Sequence, residues 1–343
     1  MHNRVRKERD FYFDFLKGIL ILLVLLGHAI QYGSGNDFLA EERYWDNIAM
    51  KTIYSFHMPL FAAVSGYFQY YSIAKGASGS SLLKRCKRLL LPVVFWSVVM
   101  TACKMVADGE RLFVKSLMYT MVCDFWFIWA VLLGACLAYV MSRVYNRAGR
   151  LFLYALLMLL FLFTPDLFWV GAACKYVIQF YLLGYELASM SWHPRSITKR
   201  AMMLGTGVWM LLLLIYNKDC YIYTSLYSVP WSDHPARQLW ADAFRNLIGV
   251  TGCFSFCGLV HWLWMHIRDG WLKAFLVNMG QQSLAIYVLS TPVYLYLIPK
   301  MTFGFSPSVM TTILITLAMA AFCSAAAKLL GKNKWVSGML LGE

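Results

Sequence analysis

Apolar residues arrive along this chain in blocks of roughly 20, the length a helix needs to cross a bilayer, and short polar breaks separate them. The blocks predict ten helices, near 13–32, 53–72, 89–106, 122–141, 151–164, 168–190, 201–217, 244–266, 278–298 and 308–328. The fifth and seventh are short for a crossing. No internal repeat or low-complexity tract interrupts the series, and no polar stretch is long enough to fold as a separate soluble domain. The expected fold is an all-α polytopic membrane protein with about ten transmembrane helices. A single integral-membrane domain would then cover residues 1–343, with a basic segment over 1–12, spans over 13–328 and a short C-terminal tail.

Composition agrees with that pattern. The 343 residues are 60% hydrophobic and only 14% charged, with a mean hydropathy of +0.57, where a soluble domain carries about 25% charged residues. A net charge of +14 could point to nucleic acid, but the basic residues lie in the short segments between blocks. Cytoplasmic loop charge and contact with anionic membrane lipids explain them better, so no nucleic-acid partner is expected. With the N-terminus inside, the cytoplasmic segments hold 20 Lys and Arg and the opposite loops hold 8. That asymmetry fits an even span count with both termini cytoplasmic, because an odd count would break the alternation. The opening RVRKER and its apolar run resemble a signal peptide. The run carries Lys17 and His28 and lacks a small-x-small site, so it reads as a retained first span. Nine scattered cysteines show neither zinc-knuckle nor redox CxxC spacing, so neither disulfides nor a metal site is inferred. Cys253, Cys257 and His261 share a helix face, which reads as small-residue packing because a fourth ligand is missing.

The chemistry concentrates in DFLKGILILLVLLGHAIQY, the first apolar block. Lys17 and His28 are eleven residues apart, so they lie only about 20° apart around a helix, with Asp14 about 40° beyond His28. Ionisable groups in hydrocarbon are costly and usually face a bundle interior or a water-filled cavity. Orientation places Lys17 near the cytoplasmic end and His28 about 16 Å further toward the outer leaflet. The second block runs back, and its TIYSFHMPLFAAVSGYF puts His57 in the outer half as well. Two imidazoles at similar depth can meet in one cavity, although each can also simply bond a neighbouring helix. Lys175, Gln179 and Glu186 form a second stripe on one face of the sixth block, read equally well as cavity lining or as helix-to-helix glue. Asp124, Trp126 and Trp129 open the fourth block, where aromatic-belt anchoring accounts for at least one tryptophan. Lys84, Arg85, Lys87 and Arg88 precede Pro92 at the cytoplasmic start of the third block. They serve as a topology signal, or as a clamp for the phosphates of an anionic cofactor. The external segment 217–243, rich in Tyr and Trp, would lie at the interface or cap a cavity. No GxSxG elbow, P-loop or HExxH occurs, which disfavours a serine hydrolase, an ATPase and a zinc protease.

Together these segments resemble the acyltransferase 3 family of integral-membrane acyltransferases, particularly its fucose 4-O-acetylase-like and polysaccharide O-acetyltransferase members. The resemblance rests on FDFLKGILILLVLLGH, SFHMPLFAAVSGYF and KRLLLPVVFW, then on FWFIW, FYLLGYEL, SLAIYVLSTP and LLGKNKW, in family order. It implies transfer of an acyl group, usually acetyl from cytoplasmic acetyl-CoA, to a hydroxyl of a sugar at or across the membrane. The family's motif histidine corresponds to His28, its motif Arg/Lys to Lys17, its second-span histidine to His57 and its basic-proline residue to Arg88. Two positions depart from the commoner pattern: Lys17 replaces an arginine, and Ser290 replaces a histidine in the ninth span.

The expected mechanism makes His28 the general base toward the acceptor hydroxyl, with an acyl-histidine intermediate as the other route. Lys17 would orient the pantetheine arm or balance charge, its ammonium held by Asp14. Arg85 and Arg88, with Lys84 and Lys87, would bind the CoA phosphates. His57, Asp124 and Glu186 would bind the acceptor or assist proton transfer, and Trp126, Lys175 and Gln179 would complete its site. The expected partners are membrane lipids and a saccharide or glycolipid acceptor, in the inner membrane of a bacterium; the oligomeric state stays open, a homodimer included. The rival class is a proton-coupled transporter or flippase, since ten spans with intramembrane charge also describe a carrier. A membrane sensor or scaffold is the third.

Overall fold

Segments this apolar can satisfy their backbone polar groups within lipid only by forming helices or closed barrels, and here they form helices. The computed structural model describes residues 9–32, 42–74, 76, 79–109, 111–167, 170–224, 226–300 and 308–342, and no strand occurs among them. The chain opens with α1 (Phe11–Tyr32), α2 (Glu42–Asp46), α3 (Ile48–Ala74), α4 (Gly79–Asp108) and α5 (Phe113–Tyr119). It continues through α6 (Trp126–Met141), α7 (Arg147–Phe163), α8 (Gly171–Ser189), α9 (Lys199–Ile215) and α10 (Pro235–His266). The last four are α11 (Trp271–Gln281), α12 (Ser283–Pro292), α13 (Val309–Leu330) and α14 (Lys334–Leu340). Two π-turns interrupt the pattern, Thr120–Asp124 before α6 and Val293–Leu297 after α12.

Among the described residues α1, α4, α10 and α13 are long and apolar enough to cross a membrane. A fifth crossing arises if Phe113–Asp124 and Trp126–Met141, bent by 66° at Phe125, act as one span. Apolar side chains also face outward on the peripheral helices. Phe152 on α7, Leu204, Leu211 and Leu214 on α9 and Leu314 on α13 are all exposed, as expected of surfaces that meet lipid rather than water. Most of the basic N-terminal segment, the break after Tyr32 and the stretch 301–307 lie outside the described residues.

Several boundaries differ from the sequence expectation: α10 begins at Pro235, inside the expected external segment, and the fourth block is bent at Phe125. The basic cluster expected in a loop before Pro92 instead lies on α4, which begins at Gly79 and runs through Pro92. The ninth block is not one helix: α11 starts at Trp271, the chain turns at Gln282, and α12 and its π-turn supply the remainder. An apolar run reports burial, and a turn whose backbone is satisfied inside the bundle leaves no mark in hydropathy.

The helices that position the interior meet through glycine. On α3 and α8, a methyl group on Gly66 would overlap the Tyr181 carbonyl, and one on Gly184 would overlap that of Ala63. On α1 and α11 the reciprocal pair is Gly18 against the Leu276 carbonyl and Gly280 against that of Asp14. In lipid, where helices gain little from apolar burial, small residues stabilise association by letting backbones approach closely. α3 also packs on α1, α6 and α10, and α1 on α12 and α13, so these two crossings set the frame for the interior.

Gly184→Ala is therefore expected to destabilise the protein by about 1–3 kcal/mol or more, because the overlapping atoms are backbone. Gly207→Ala on α9, where nothing lies within 4 Å of the added methyl, should be neutral or stabilise by up to about 1 kcal/mol. Thermal melting of both variants in detergent checks the contrast, and equal midpoints would refute the close-packing role.

Candidate functional site

Asp14 occupies the first turn of α1 with its carboxylate buried, and two cations hold it: Arg9 Nε at 2.6 Å and Lys17 Nζ at 2.9 Å. Lys17 then points into a cavity of about 610 Å3. Lys84, Arg85 and Arg88 of α4 line the same cavity, together with the hydroxyls of Ser65, Ser72, Ser81 and Ser283. None of the three α4 cations has a carboxylate partner among the described residues. Arg85 donates to the Gln69 side chain, and Arg88 donates to the Gly342 carbonyl, which docks the C-terminal segment beside the cavity. Lys87 is exposed and lines neither cavity. The basic cavity thus sets four cations and four serines beside an apolar wall that includes Ile21, Phe61, Phe127 and Val131, a lining suited to an anionic head with an apolar arm.

His28, eleven residues along the same helix, faces a second cavity of about 430 Å3. His57, Asp124 and Trp126 line it too, so four of the residues singled out in the sequence converge there. Its wall is otherwise rich in aromatic side chains, among them Tyr32, Tyr44, Tyr54, Tyr221 and Tyr223. Burial pushes the phenols of Tyr44, Tyr221 and Tyr223, which lie outside the membrane spans, above their usual range and keeps them protonated. Val24, Met58 and Tyr287 line both cavities. The Lys17–His28 stripe therefore serves two chambers that share one wall.

The two histidines are held differently. His57 Nδ1 lies 2.7 Å from the Ile53 carbonyl, which can only accept, so Nδ1 carries the proton and Nε2 is bare. Pro59, one turn on, removes a backbone donor from α3 beside it. His28 Nδ1 is buried with no partner among the described residues, and the edges of Tyr32 and Tyr294 pack against its ring. Asp124 closes a π-turn, a backbone form that recurs at functional sites. Lys104 Nζ reaches Asp124 Oδ2 at 3.5 Å and donates to Thr120 Oγ1 at 3.0 Å. Sequence reading missed this lysine, although an ionisable residue at the end of an apolar block was the signal. It also missed Tyr54 and Tyr287, because one tyrosine among many carries no distinguishing pattern, whereas Tyr223 belongs to the aromatic segment expected to cap a cavity.

The second stripe does not join them. Lys175 pairs with Asp166 at 2.9 Å and donates to the Thr164 carbonyl. Gln179 and Asn246 both donate to the Tyr227 hydroxyl, and Glu186 accepts from Arg150 at 3.1 Å. Among the described residues none of Lys175, Gln179 and Glu186 lines either cavity. Their partners instead tie the segment after α9 to the bundle: Asp166 accepts the Tyr227 backbone N–H at 2.7 Å. Arg245, paired with Asp242 at 2.6 Å, donates to the carbonyls of Asp219, Cys220 and Leu226. That segment carries Tyr221 and Tyr223, so it covers the aromatic cavity. Ser290, where a family histidine was expected, is buried, donates to the Tyr287 carbonyl at 3.2 Å and lines neither cavity. Among the described residues no group of three His, Cys, Asp or Glu side chains could hold a metal ion.

Residues 10–328 match the model of a family described as an acyltransferase domain. The nodulation protein NolL of Mesorhizobium japonicum is 26% identical over 306 residues, which cover 84% of this chain and 77% of the relative. The nodulation protein NolL of Sinorhizobium fredii is 27% identical over 300 residues, covering 84% and 78%. No solved structure matches the chain.

Lys175→Met leaves Asp166 buried without its cation, a change that costs about 3–5 kcal/mol when one partner of a buried pair is removed. The expected outcome is a lower melting midpoint and faster tryptic cleavage at Lys218 and Arg237. Cleavage at the wild-type rate would show that the pair does not hold this segment down.

Proposed function

The chain belongs to the acyltransferase 3 family and is a membrane acyltransferase, and from that premise we propose that it moves an acetyl group from acetyl-CoA to a hydroxyl of a saccharide. The observation that carries this reading is the pair of neighbouring cavities that share Val24, Met58 and Tyr287 in their walls. A donor bearing several phosphates and a neutral, hydroxyl-rich acceptor need opposite linings, and the transferred group needs a place where the two sites touch. The first chamber sets its four cations against an apolar wall, while aromatic faces, two imidazoles, Gln31 and the Lys104–Asp124 pair line the other. In this reading Lys84, Arg85 and Arg88 bind the CoA phosphates. Lys17, held by Asp14, aligns the pantetheine arm toward the shared wall, so that the acetyl group reaches His28. Aromatic side chains such as Trp126 stack on the sugar, and Asp124 and Gln31 bond its hydroxyls.

His28 Nε2 takes the proton of the acceptor hydroxyl as its oxygen bonds to the thioester carbonyl carbon. The carbon–sulfur bond then breaks, and the departing thiolate takes that proton from the imidazolium, which leaves CoA as the thiol and His28 neutral. His57, with Nε2 bare, accepts a hydrogen bond from the acceptor and orients it.

The membrane arrangement belongs to the same proposal. The apolar blocks would make ten crossings in one integral-membrane domain, with both termini cytoplasmic in a bacterial inner membrane. The basic chamber then opens to the compartment that holds acetyl-CoA. Support comes from the 20-to-8 division of Lys and Arg between alternate segments.

His28→Ala should lower acetyl transfer by at least about 100-fold, the lower end of general-base contributions. Arg85→Ala with Arg88→Ala should remove the thermal stabilisation that acetyl-CoA confers on the purified protein. Mass spectrometry of surface glycans from cells with and without the gene should show the mass of one acetyl group per modified site. Full modification by the His28→Ala variant would overturn the base assignment, and no thermal shift with millimolar acetyl-CoA would overturn the donor.

A further inference from the structure

His28 Nδ1 and the Tyr294 hydroxyl are both buried, and neither has a partner among the described residues. The two rings meet edge to face, with centroids 5.4 Å apart and planes at 81°. Tyr294 has no exposed surface and belongs to the π-turn Val293–Leu297, a rare backbone form that recurs at functional sites. Tyr32 also packs on His28, at 6.0 Å, but it lines the aromatic cavity, whereas Tyr294 lines neither cavity. Tyr294 therefore packs on the imidazole from outside both cavities, and the unpartnered Nδ1 is likewise buried. Polar atoms left unpaired on two neighbouring buried rings are costly, and a shared hydrogen bond would give each of them a partner.

We propose that Tyr294 is the positioning residue of His28: its hydroxyl oxygen accepts the Nδ1–H, directly or through one buried water, and so keeps Nε2 bare toward the aromatic cavity. The proposal rests on the reading of His28 as the base. A neutral imidazole holds one proton; with Nδ1 bare, Nε2 would carry that proton and could take no other. His57 shows the same device with a different partner, its Nδ1 facing the Ile53 carbonyl. Ser290, one turn before Tyr294, already bonds the Tyr287 carbonyl, which leaves Tyr294 as the hydroxyl of this helix that meets His28. When His28 takes the acceptor's proton, the bond from Nδ1–H to the tyrosine oxygen becomes charge-assisted, about twice as strong as a neutral one. Tyr294 therefore stabilises the imidazolium that forms during transfer. It passes no proton itself; the proton goes on to the leaving sulfur.

The test compares Tyr294→Phe, His28→Ala and the double variant as purified full-length proteins, with acetyl-CoA turnover followed across pH. Tyr294→Phe is expected to lower kcat about 10- to 100-fold, the effect of one hydrogen bond to a charged group, with KM for acetyl-CoA unchanged. The acid limb of its kcat/KM profile should move to lower pH, because the imidazolium has lost an acceptor, and the substitution should add nothing to His28→Ala. A folded Tyr294→Phe protein with wild-type kcat and an unmoved acid limb overturns the proposal while leaving His28 as base. An active His28→Ala protein overturns the base assignment itself. Nitrogen-15 spectra of histidine-labelled wild-type protein give a second readout that does not depend on the variant folding. His28 is expected as the Nδ1–H tautomer, and the Nε2–H tautomer there would overturn the proposal.

Discussion

Charge buried among apolar helices must be partnered, because an isolated ion in a low-dielectric interior costs more than any single contact returns. Much of this structure follows from meeting that requirement. Asp14 lies between Arg9 and Lys17, Asp124 beside Lys104, Asp166 against Lys175, Glu186 against Arg150 and Asp242 against Arg245. The pairs of Asp124, Asp166 and Glu186 join separate segments, those of Asp14 and Asp242 set cations along their own helices, and the Lys175 and Arg245 pairs also hold down the stretch that carries Tyr221 and Tyr223. The exceptions are informative. Lys84, Arg85 and Arg88 gather around one cavity without carboxylates to balance them. Where the buried carboxylates each have a cation, the cations of this cavity have no carboxylate among the described residues apart from the Asp14 beside Lys17.

The pairs need a rigid frame, and glycine supplies it. α3 and α8 approach until backbone meets backbone at Gly66 and Gly184, and α1 and α11 do so at Gly18 and Gly280. Lys17 is the neighbour of Gly18, and His28 the neighbour of Gly27, so the residues proposed to carry the chemistry sit on a helix held by close contact. A catalytic group misplaced by about 1 Å can lose roughly 100-fold in rate, which gives this packing a functional meaning.

Helix irregularities fall where the chemistry is. One π-turn ends at Asp124 and the other contains Tyr294, and both border the aromatic cavity or the histidine that lines it. Pro59 interrupts the backbone bonding of α3 within one turn of His57. Regular helices would present these side chains at fixed angular intervals. The departures aim particular residues inward, and their cost is met by the surrounding packing.

Local pattern was enough to determine the all-helical, membrane character, the family and the residues most worth attention, Lys17, His28, His57, Arg85, Arg88 and Asp124. Hydropathy blocks, helical spacing and motif order are properties of neighbours in the chain, so one sequence suffices to read them. Only the tertiary structure decided that Lys17 and His28 line different chambers, that Val24, Met58 and Tyr287 form a wall common to both, and that Lys175, Gln179 and Glu186 act as struts outside both. It alone paired Lys104 with Asp124 and set Tyr294 behind His28. Those relations join residues up to 266 positions apart. They depend on which helix faces meet and how closely, a matter settled by glycine contacts and buried charge pairs across the bundle rather than by any period along the chain.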